Sequence, residues 1–240
     1  MPSTAIESVF FLPGLLCDRA VWEHQAQGTS DLALSTCVEW DTEDSLPAMA
    51  ETVLRSAPER FSMAGHSMGG RVALEVYRVA PQRVARIALL DTGCQERPRD
   101  ASGDEEERGR LALLSLARSD GMRAMARQWL PPMIRPARLA DAVLVDGIVD
   151  MFARKTPQIF ERQIRALLSR PDATGVIEQI RCPALVLTGR EDLWSPPARH
   201  AEMAARIPRS KLVVIPDCAH MSTLERPEAV TEALRAWLVS

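Results

Sequence analysis

Short apolar runs alternate with helix-like segments in the first and last thirds of the chain. The runs favour β-structure and stop at Pro, Gly or Asp, so they predict short strands. The predicted strands are 8–12, 34–40, 61–66, 87–90, 184–188 and 211–215. Apolar residues at helical spacing, together with prolines at segment ends, predict helices at 47–56, 71–80, 197–207 and 227–238. This alternation is typical of an α/β fold, in which helices cover both faces of a parallel sheet.

The middle third breaks this alternation, because it contains no convincing strand-like run. Helical patterns, punctuated by prolines, are found instead at 103–117, 138–154 and 157–168. The acidic run 104–107 opens the first pattern, and we interpret it as a solvated first turn, where acidic side chains suit the helix dipole. We therefore predict a core formed by residues 1–94 and 181–240, with a helical cap or lid inserted at 95–180.

The net charge of the chain bears on which classes of molecule it could bind. The 240 residues carry 29 Lys and Arg against 32 Asp and Glu, which gives a net charge of −3. The chain therefore lacks the basic field that nucleic acid or an anionic membrane would require. No apolar run approaches the ~20 residues that a membrane helix needs. We expect neither nucleic acid nor membrane as a partner.

The cysteines and the N-terminus bear on the compartment. The five cysteines are scattered and form no C-x-x-C pair, so they suggest neither a zinc site nor a disulfide framework. A reducing environment is the simplest interpretation. The N-terminus has no basic region and carries Glu7, which argues against a signal peptide. These observations predict a cytoplasmic protein with no metal site, and no segment of the sequence signals an organic cofactor.

Residues 65–69 fit the pattern G-x-S-x-G around Ser67. The motif lies between the predicted strand 61–66 and the predicted helix 71–80, where a serine on a sharp turn presents its hydroxyl. The glycines relieve crowding between strand and helix, and the helix N-terminus offers N–H groups to a developing oxyanion. Ser67 is therefore the candidate nucleophile. The alternative is a glycine-rich turn with an incidental serine.

A serine hydroxyl needs a base to become a good nucleophile. Of the four histidines, His66 adjoins the serine but would point away from it, and His24 and His200 are expected at the surface of helices. His220 follows the last predicted strand, at the sheet edge where such folds place their sites. It is therefore the candidate base.

The base in turn needs a carboxylate that holds its tautomer and stabilises the imidazolium. Asp192 follows the predicted strand 184–188 and is the first candidate. Its neighbour Glu191, and Asp91 at the end of the strand 87–90, are the alternatives.

Five segments carry a family resemblance. They are LPGLL at 12–16, GHSMGG at 65–70, LTGRED at 187–192, CAHM at 218–221 and LERPE at 224–228. With the chain order Ser67, Asp192, His220, the sequence resembles the α/β-hydrolase superfamily, within its small, cap-bearing serine esterase- or lactonase-like group. The resemblance implies a mostly parallel sheet of about six strands. Almost no chain precedes residue 8, so the N-terminal antiparallel pair of many relatives should be missing.

The resemblance also implies roles for single residues. Ser67 would be the nucleophile, His220 the base and Asp192 its orienting acid. The oxyanion hole would be formed by the backbone N–H groups of Leu15 and Met68. The loop before Leu15 reads Pro-Gly where many relatives carry His-Gly, a departure that changes a side chain of the loop and not the backbone donor.

The expected activity is hydrolysis of carboxylic esters or lactones of small to medium size through an acyl-enzyme, by a monomer or homodimer. The candidates for lining the substrate pocket are Trp22, Trp129, Met133, Trp194 and Met221. One alternative is an enol-lactonase or a carbon–carbon bond hydrolase of aromatic degradation. An alternative of another class is a non-catalytic ligand receptor or signalling module with the same fold.

Overall fold

A computed structural model describes residues 7–240 and shows one six-stranded sheet. All the strands run parallel, in the order β2-β1-β3-β4-β5-β6. The strands are β1 (Glu7–Leu12), β2 (Ala33–Cys37), β3 (Phe61–His66), β4 (Val84–Leu90), β5 (Ala184–Gly189) and β6 (Ser210–Ile215). The predicted α/β fold with about six parallel strands is confirmed.

Helices lie between successive strands in the sequence and follow the last strand. In the first half of the core they are α1 (Glu23–Gly28), α2 (Leu46–Ser56) and α3 (Met68–Val79). Between β4 and β5 follow α4 (Ala101–Ser119), α5 (Met122–Trp129), α6 (Ala142–Ala153), α7 (Pro157–Leu168) and α8 (Thr174–Ile177). The chain ends with α9 (Pro197–Arg206), α10 (Ser222–Glu225) and α11 (Pro227–Leu238). Within residues 7–240 no helix combines the length and the apolar character needed to cross a bilayer.

Burial explains why the central strands could be predicted from the sequence. Every residue of β3 and of β5 is buried, which is why both read as continuous apolar or small-residue runs. The edge strands β2 and β6 keep several residues exposed, and β2 ends at Cys37, before the predicted end at residue 40. The core lies between this sheet and its helices, and includes the fully buried Trp22 and Trp40.

The segment between β4 and β5 contains helices and turns and no strand among its described residues, as the sequence pattern predicts. The helix α5 was not predicted, because its buried stripe is short and consists of Met122, Met125 and Ala126. The predicted helix over 138–154 begins later, at Ala142, where the Asp141 side chain accepts a hydrogen bond from the Leu144 amide. We call residues 95–180 the helical insertion.

Candidate active site

Ser67 lies on the turn between β3 and α3 with φ 54° and ψ −114°, a region that residues other than glycine rarely occupy. Two contacts hold this backbone: the Ser67 amide donates to the Leu90 carbonyl (2.8 Å), and the Thr92 hydroxyl donates to the Ser67 carbonyl (2.7 Å). The turn is therefore tied to the end of β4, and it presents the serine hydroxyl at the carboxyl end of the sheet.

The two glycines of the motif are required by close backbone approaches. A Cβ at Gly65 would overlap the backbone of Gly69, and a Cβ at Gly69 would overlap the carbonyl of Leu12. Strand, turn and helix therefore fit together only when both positions lack a side chain. This packing accounts for the glycines, and the role of the serine between them depends on the contacts of its hydroxyl.

His220 lies in the loop between β6 and α10, and its ring bridges the other two candidates. Its Nε2 is 2.9 Å from the Ser67 Oγ, and its Nδ1 is 2.9 Å from the Asp192 Oδ2. With the proton on Nδ1, the ring donates to Asp192 and leaves Nε2 to accept the hydroxyl proton of Ser67. The structure thus brings the three predicted side chains into one hydrogen-bonded chain.

Asp192 and His220 each favour the charged form of the other. Asp192 is buried, which opposes its ionisation, but the positive charge of His220 and hydrogen bonds from the ring and from the Ser195 and Trp194 amides outweigh burial and lower the pKa of Asp192. Burial likewise opposes protonation of His220, but the Asp192 carboxylate outweighs it and raises the pKa of His220. The site therefore favours an ionised acid beside a basic imidazole.

The alternative acids have other partners. The Glu191 carboxylate accepts a hydrogen bond from the Cys218 amide (2.8 Å). Asp91 is fully buried, accepts hydrogen bonds from the Gly189 amide (3.0 Å) and the Ser222 hydroxyl, and lies 3.7 Å from the Nε2 of His66. Burial, with a contribution from the nearby Asp192 charge, raises the pKa of Asp91 well above its usual range.

The other histidines do not contact the Ser67 hydroxyl. The His66 Nε2 lies 2.8 Å from the His220 carbonyl, so His66 supports the backbone that carries the base. Burial, then the His220 charge, lowers the pKa of His66 to about 4. His200 is fully buried and its Nε2 accepts from the Thr92 amide (3.1 Å), so the expectation of a surface position was wrong for it. His24 is partly exposed.

The predicted oxyanion donors lie beside the serine. Leu15 and Met68 both line the cavity at Ser67, and neither amide donates to an acceptor within the described residues. Leu16, next to Leu15, has φ 61°, and its amide donates to the buried side chain of Gln163 (2.8 Å). Gln163 also donates to the Trp40 carbonyl (2.7 Å), so a helix of the insertion holds the loop after β1. The only sequence signal for this role was a polar residue within the apolar stripe of α7.

The serine opens into a cavity of about 910 Å³. Four of the five predicted pocket residues line it: Trp129, Met133, Trp194 and Met221. Trp22 does not, and the prediction for it was wrong. Its side chain is fully buried and stacks on Phe11 with ring centroids 4.8 Å apart, so it is a core residue beneath β1.

The helical insertion is bonded to the loop of His220. The amides of His220 and Met221 both donate to the Met133 carbonyl (3.0 and 3.2 Å). The buried Glu225 carboxylate accepts from the Arg135 amide on the insertion (2.9 Å) and from the Ala219 amide beside the histidine (2.8 Å). The sequence analysis noted the segment containing Glu225 without assigning it this role.

Known proteins resemble this chain over most of its length. The sequence model of the alpha/beta hydrolase family matches residues 8–233. Pimeloyl-(acyl-carrier protein) methyl ester esterase of Nitrosomonas europaea is 30% identical over 199 residues, which cover 77% of this chain and 74% of that protein.

Solved structures give the same picture. A thermophilic esterase from Thermogutta terrifontis superposes with a TM-score of 0.84 at 26% identity, covering 97% of this chain and 89% of the other. The enol-lactonase from Burkholderia xenovorans LB400 superposes with a TM-score of 0.85 at 21% identity, covering 100% and 94%, and shows a likeness of fold.

Proposed function

The chain belongs to the alpha/beta hydrolase family, and we propose that within it the protein is a serine hydrolase of carboxylic esters or lactones of small to medium size. The observation that carries this proposal is the hydrogen-bonded chain from Ser67 through His220 to Asp192 at the wall of a large cavity. Similarity to proteins named as esterases supports the same reaction class.

In the first half of the proposed reaction, the Ser67 Oγ attacks the carbonyl carbon while His220 Nε2 takes its proton. The negative charge that develops on the carbonyl oxygen is stabilised by the Leu15 and Met68 amides. Removal of one such donor typically costs about 10²- to 10³-fold in kcat. The C–O bond to the leaving group then breaks, and the protonated imidazole donates its proton to the leaving alkoxide.

The second half repeats this chemistry with water. His220 removes a proton from a water molecule, and the oxygen of that water attacks the acyl-enzyme carbonyl. The imidazolium then returns the proton to the Ser67 oxygen as the carboxylic acid product leaves. Asp192 stays ionised throughout and stabilises the imidazolium. Hydrolysis of a lactone would follow the same steps with the leaving alkoxide still attached to the product.

We further propose that the helical insertion acts as a cap. Support comes from the cavity, which is lined both by core residues such as Ser67 and by Trp129 and Met133 of the insertion. A single small-molecule substrate, with neither nucleic acid nor membrane as partner, fits the net charge of −3. We propose a cytoplasmic monomer or homodimer, and the five free thiols fit a reducing compartment.

The function is tested by turnover and by covalent trapping. The protein should hydrolyse p-nitrophenyl acetate or butyrate, and Ser67→Ala should lose this activity by several orders of magnitude. An alkyl fluorophosphonate should add its mass to the wild type at Ser67 and not to Ser67→Ala. Ser30→Ala is the matched control, because it makes the same change at an exposed serine outside the cavity.

A panel of esters, lactones and vinylogous diketones separates the remaining alternatives. Preference for a lactone would identify the protein as a lactonase, and preference for a diketone would identify it as a carbon–carbon bond hydrolase. Ligand binding without Ser67-dependent turnover of any substrate would support a receptor and contradict the proposal.

A further inference from the structure

Two arginines on the wall of the active-site cavity have no carboxylate partner among the described residues. Arg71 lies on α3, four residues after Ser67, and Arg199 lies on α9. Neither guanidinium lies within 4 Å of an acidic side chain in residues 7–240, although both are largely shielded from solvent. This is unusual, because half-buried positive charges are ordinarily neutralised by a neighbour.

The other two arginines of the cavity wall show what ordinary pairing looks like here. Arg110 and Arg170 both contact the carboxylate of Glu106, at 2.9 and 2.7 Å. Glu106 is therefore already shared by two cations. The absence of an acid at Arg71 and Arg199 is thus local to the part of the wall that these two residues form.

The two unpaired guanidiniums converge on the segment that follows β4. The Nη2 of Arg71 lies 3.2 Å, and the Nη1 of Arg199 3.6 Å, from the point where a Cβ on Gly93 would stand. Glycine at this position leaves room for both side chains. Gly93 follows Thr92, whose hydroxyl donates to the Ser67 carbonyl, so this place is next to the nucleophile turn.

Most of the hydrogen-bonding capacity of the pair is unused. Arg71 donates one hydrogen bond, from Nη1 to the Gln95 carbonyl (2.8 Å), and Arg199 donates one, from Nη1 to the Trp194 carbonyl (3.1 Å). An arginine has five N–H donors. Burial and the positive charge of Arg170 lower the pKa of Arg71 to about 9, although the Glu106 carboxylate partly offsets them.

We propose that the substrate of this hydrolase carries a carboxylate besides its scissile ester or lactone, and that Arg71 and Arg199 bind that carboxylate. The inference rests on the serine-hydrolase function proposed above. Guanidinium groups match the planar fork of a carboxylate, and such charge-assisted pairs are stronger than neutral hydrogen bonds. Ser67, Arg71 and Arg199 line the same cavity of about 910 Å³, so one small molecule can contact the serine and the two guanidiniums together.

The charge of the cavity favours an anionic substrate. Its wall carries four arginines against three carboxyl groups, those of Asp91, Glu105 and Glu106. Because the raised pKa of Asp91 favours its neutral form, the arginines outnumber the ionised carboxylates. The apolar remainder of the wall, which includes Trp129 and Trp194, would face the carbon chain between the two groups.

The test compares isosteric esters that differ in charge. For a carboxylate on the acyl side the pair is monomethyl adipate and the methyl ester of adipamic acid, with succinate, glutarate and pimelate homologues. For a carboxylate on the alcohol side the pair is butyryloxyacetate and butyryloxyacetamide. In one of these arms wild-type kcat/KM should favour the carboxylate by about tenfold or more, expressed mainly in KM.

Arg71→Gln and Arg199→Gln should each reduce this carboxylate-to-amide ratio about tenfold. Arg108→Gln is the matched control, because it removes the same charge from an exposed arginine of α4 outside the cavity, and its ratio should equal that of the wild type. Ser67-dependent turnover of both members of each pair with a wild-type ratio near one would overturn the inference and leave the hydrolase function intact.

A binding measurement keeps the inference testable if no ester is turned over. Monomethyl adipate titrated into Ser67→Ala should bind at least about tenfold more tightly than the methyl ester of adipamic acid, and Arg71→Gln in that background should abolish the difference. Equal binding of these two esters would contradict the carboxylate site whatever the catalytic result.

Discussion

The Asp192 carboxylate accepts the hydrogen bond of the His220 ring, whereas the two alternatives left open by the sequence are engaged elsewhere. Glu191 holds the Cys218 amide, and Asp91 holds the Gly189 amide and the Ser222 hydroxyl. The sequence placed Asp192 first but left the other two acids open, since all three follow strand ends. The choice among them depends on loop geometry that aims only one carboxylate at the ring.

Asp192→Asn should lower kcat/KM by about 10³- to 10⁴-fold, because the amide neither fixes the reactive tautomer nor stabilises the imidazolium. His220 must be neutral to accept a proton, so activity rises with pH through its pKa. The carboxylate raises that pKa, and the acidic limb of the profile should move to lower pH in the variant. Profiles of kcat/KM against pH measure both effects.

Asp91→Asn is the comparison for this prediction, since Asp91 is buried close by but does not contact the His220 ring. It should lose less activity than Asp192→Asn. A larger loss in Asp91→Asn, or an acidic limb that stays in place in Asp192→Asn, would show that Asp192 is not the orienting acid.

Single residues were predictable where a local motif sits at the end of a strand. Ser67, Asp192 and His220 each have such a setting, and the structure brings them within hydrogen-bond distance. Trp22 and His200 were misplaced because their burial depends on tertiary contacts that the local pattern does not show. Trp22 stacks on Phe11, and His200 accepts from Thr92, which lies 108 positions earlier.

At the scale of elements, α7 reaches into the core through one polar side chain. Gln163 is fully buried and joins the Leu16 amide to the Trp40 carbonyl, so this helix holds the loop that carries the proposed Leu15 donor. Its helical period was visible in the sequence. The partners of its single buried amide were not, since they lie more than 100 residues away.

Gln163→Leu should leave the Leu16 amide and the Trp40 carbonyl without partners, at a cost of about 1–3 kcal/mol for each group. The melting temperature should fall by roughly 2–4 °C per kcal/mol. As a positioning residue, Gln163 should affect kcat more than KM, because the loop beside it would present the oxyanion donor less accurately. Thermal melts and ester kinetics provide the measurement.

Gln158→Leu, at an exposed position of the same helix, is the control for a change of glutamine to leucine. Gln163→Glu retains an acceptor for the Leu16 amide but loses the donor to Trp40, so its kcat should lie between those of the wild type and Gln163→Leu. Wild-type kinetics in Gln163→Leu would refute the positioning role.

At the scale of the whole molecule, the sheet gathers groups from three separated parts of the sequence. Ser67, Asp192 and His220 follow β3, β5 and β6, which are parallel and therefore end at the same edge. The sequence predicted strands of this kind and their number. The strand order and register arise from pairings between distant segments, such as β1 with β3, and were not legible in the local pattern.

Glu225 links the helical insertion to the loop of the base, and Glu225→Gln should weaken that link. Two backbone amides donate to its carboxylate, and an amide side chain can present an oxygen to only one of them. We expect a loss of about 1–3 kcal/mol of stability and faster hydrogen exchange over 131–138 and 218–221.

Glu232→Gln, at an exposed position of α11, makes the same chemical change without a buried partner, and its stability should stay within about 0.5 kcal/mol of the wild type. If Glu225→Gln melts and exchanges like Glu232→Gln, the insertion is held to the core by its other contacts alone.

The contact made by Met133 has a consequence for how substrate scope can change. It is the carbonyl of this residue that accepts from the His220 and Met221 amides, while its side chain lines the cavity. Pro131 and Pro132 precede it and restrict the local backbone. The loop that carries His220 is therefore held by a backbone carbonyl of residue 133. Any amino acid at this position would supply the same carbonyl. Position 133 can accordingly drift in evolution, or be randomised in a library, to reshape the pocket while the geometry of the histidine is inherited unchanged.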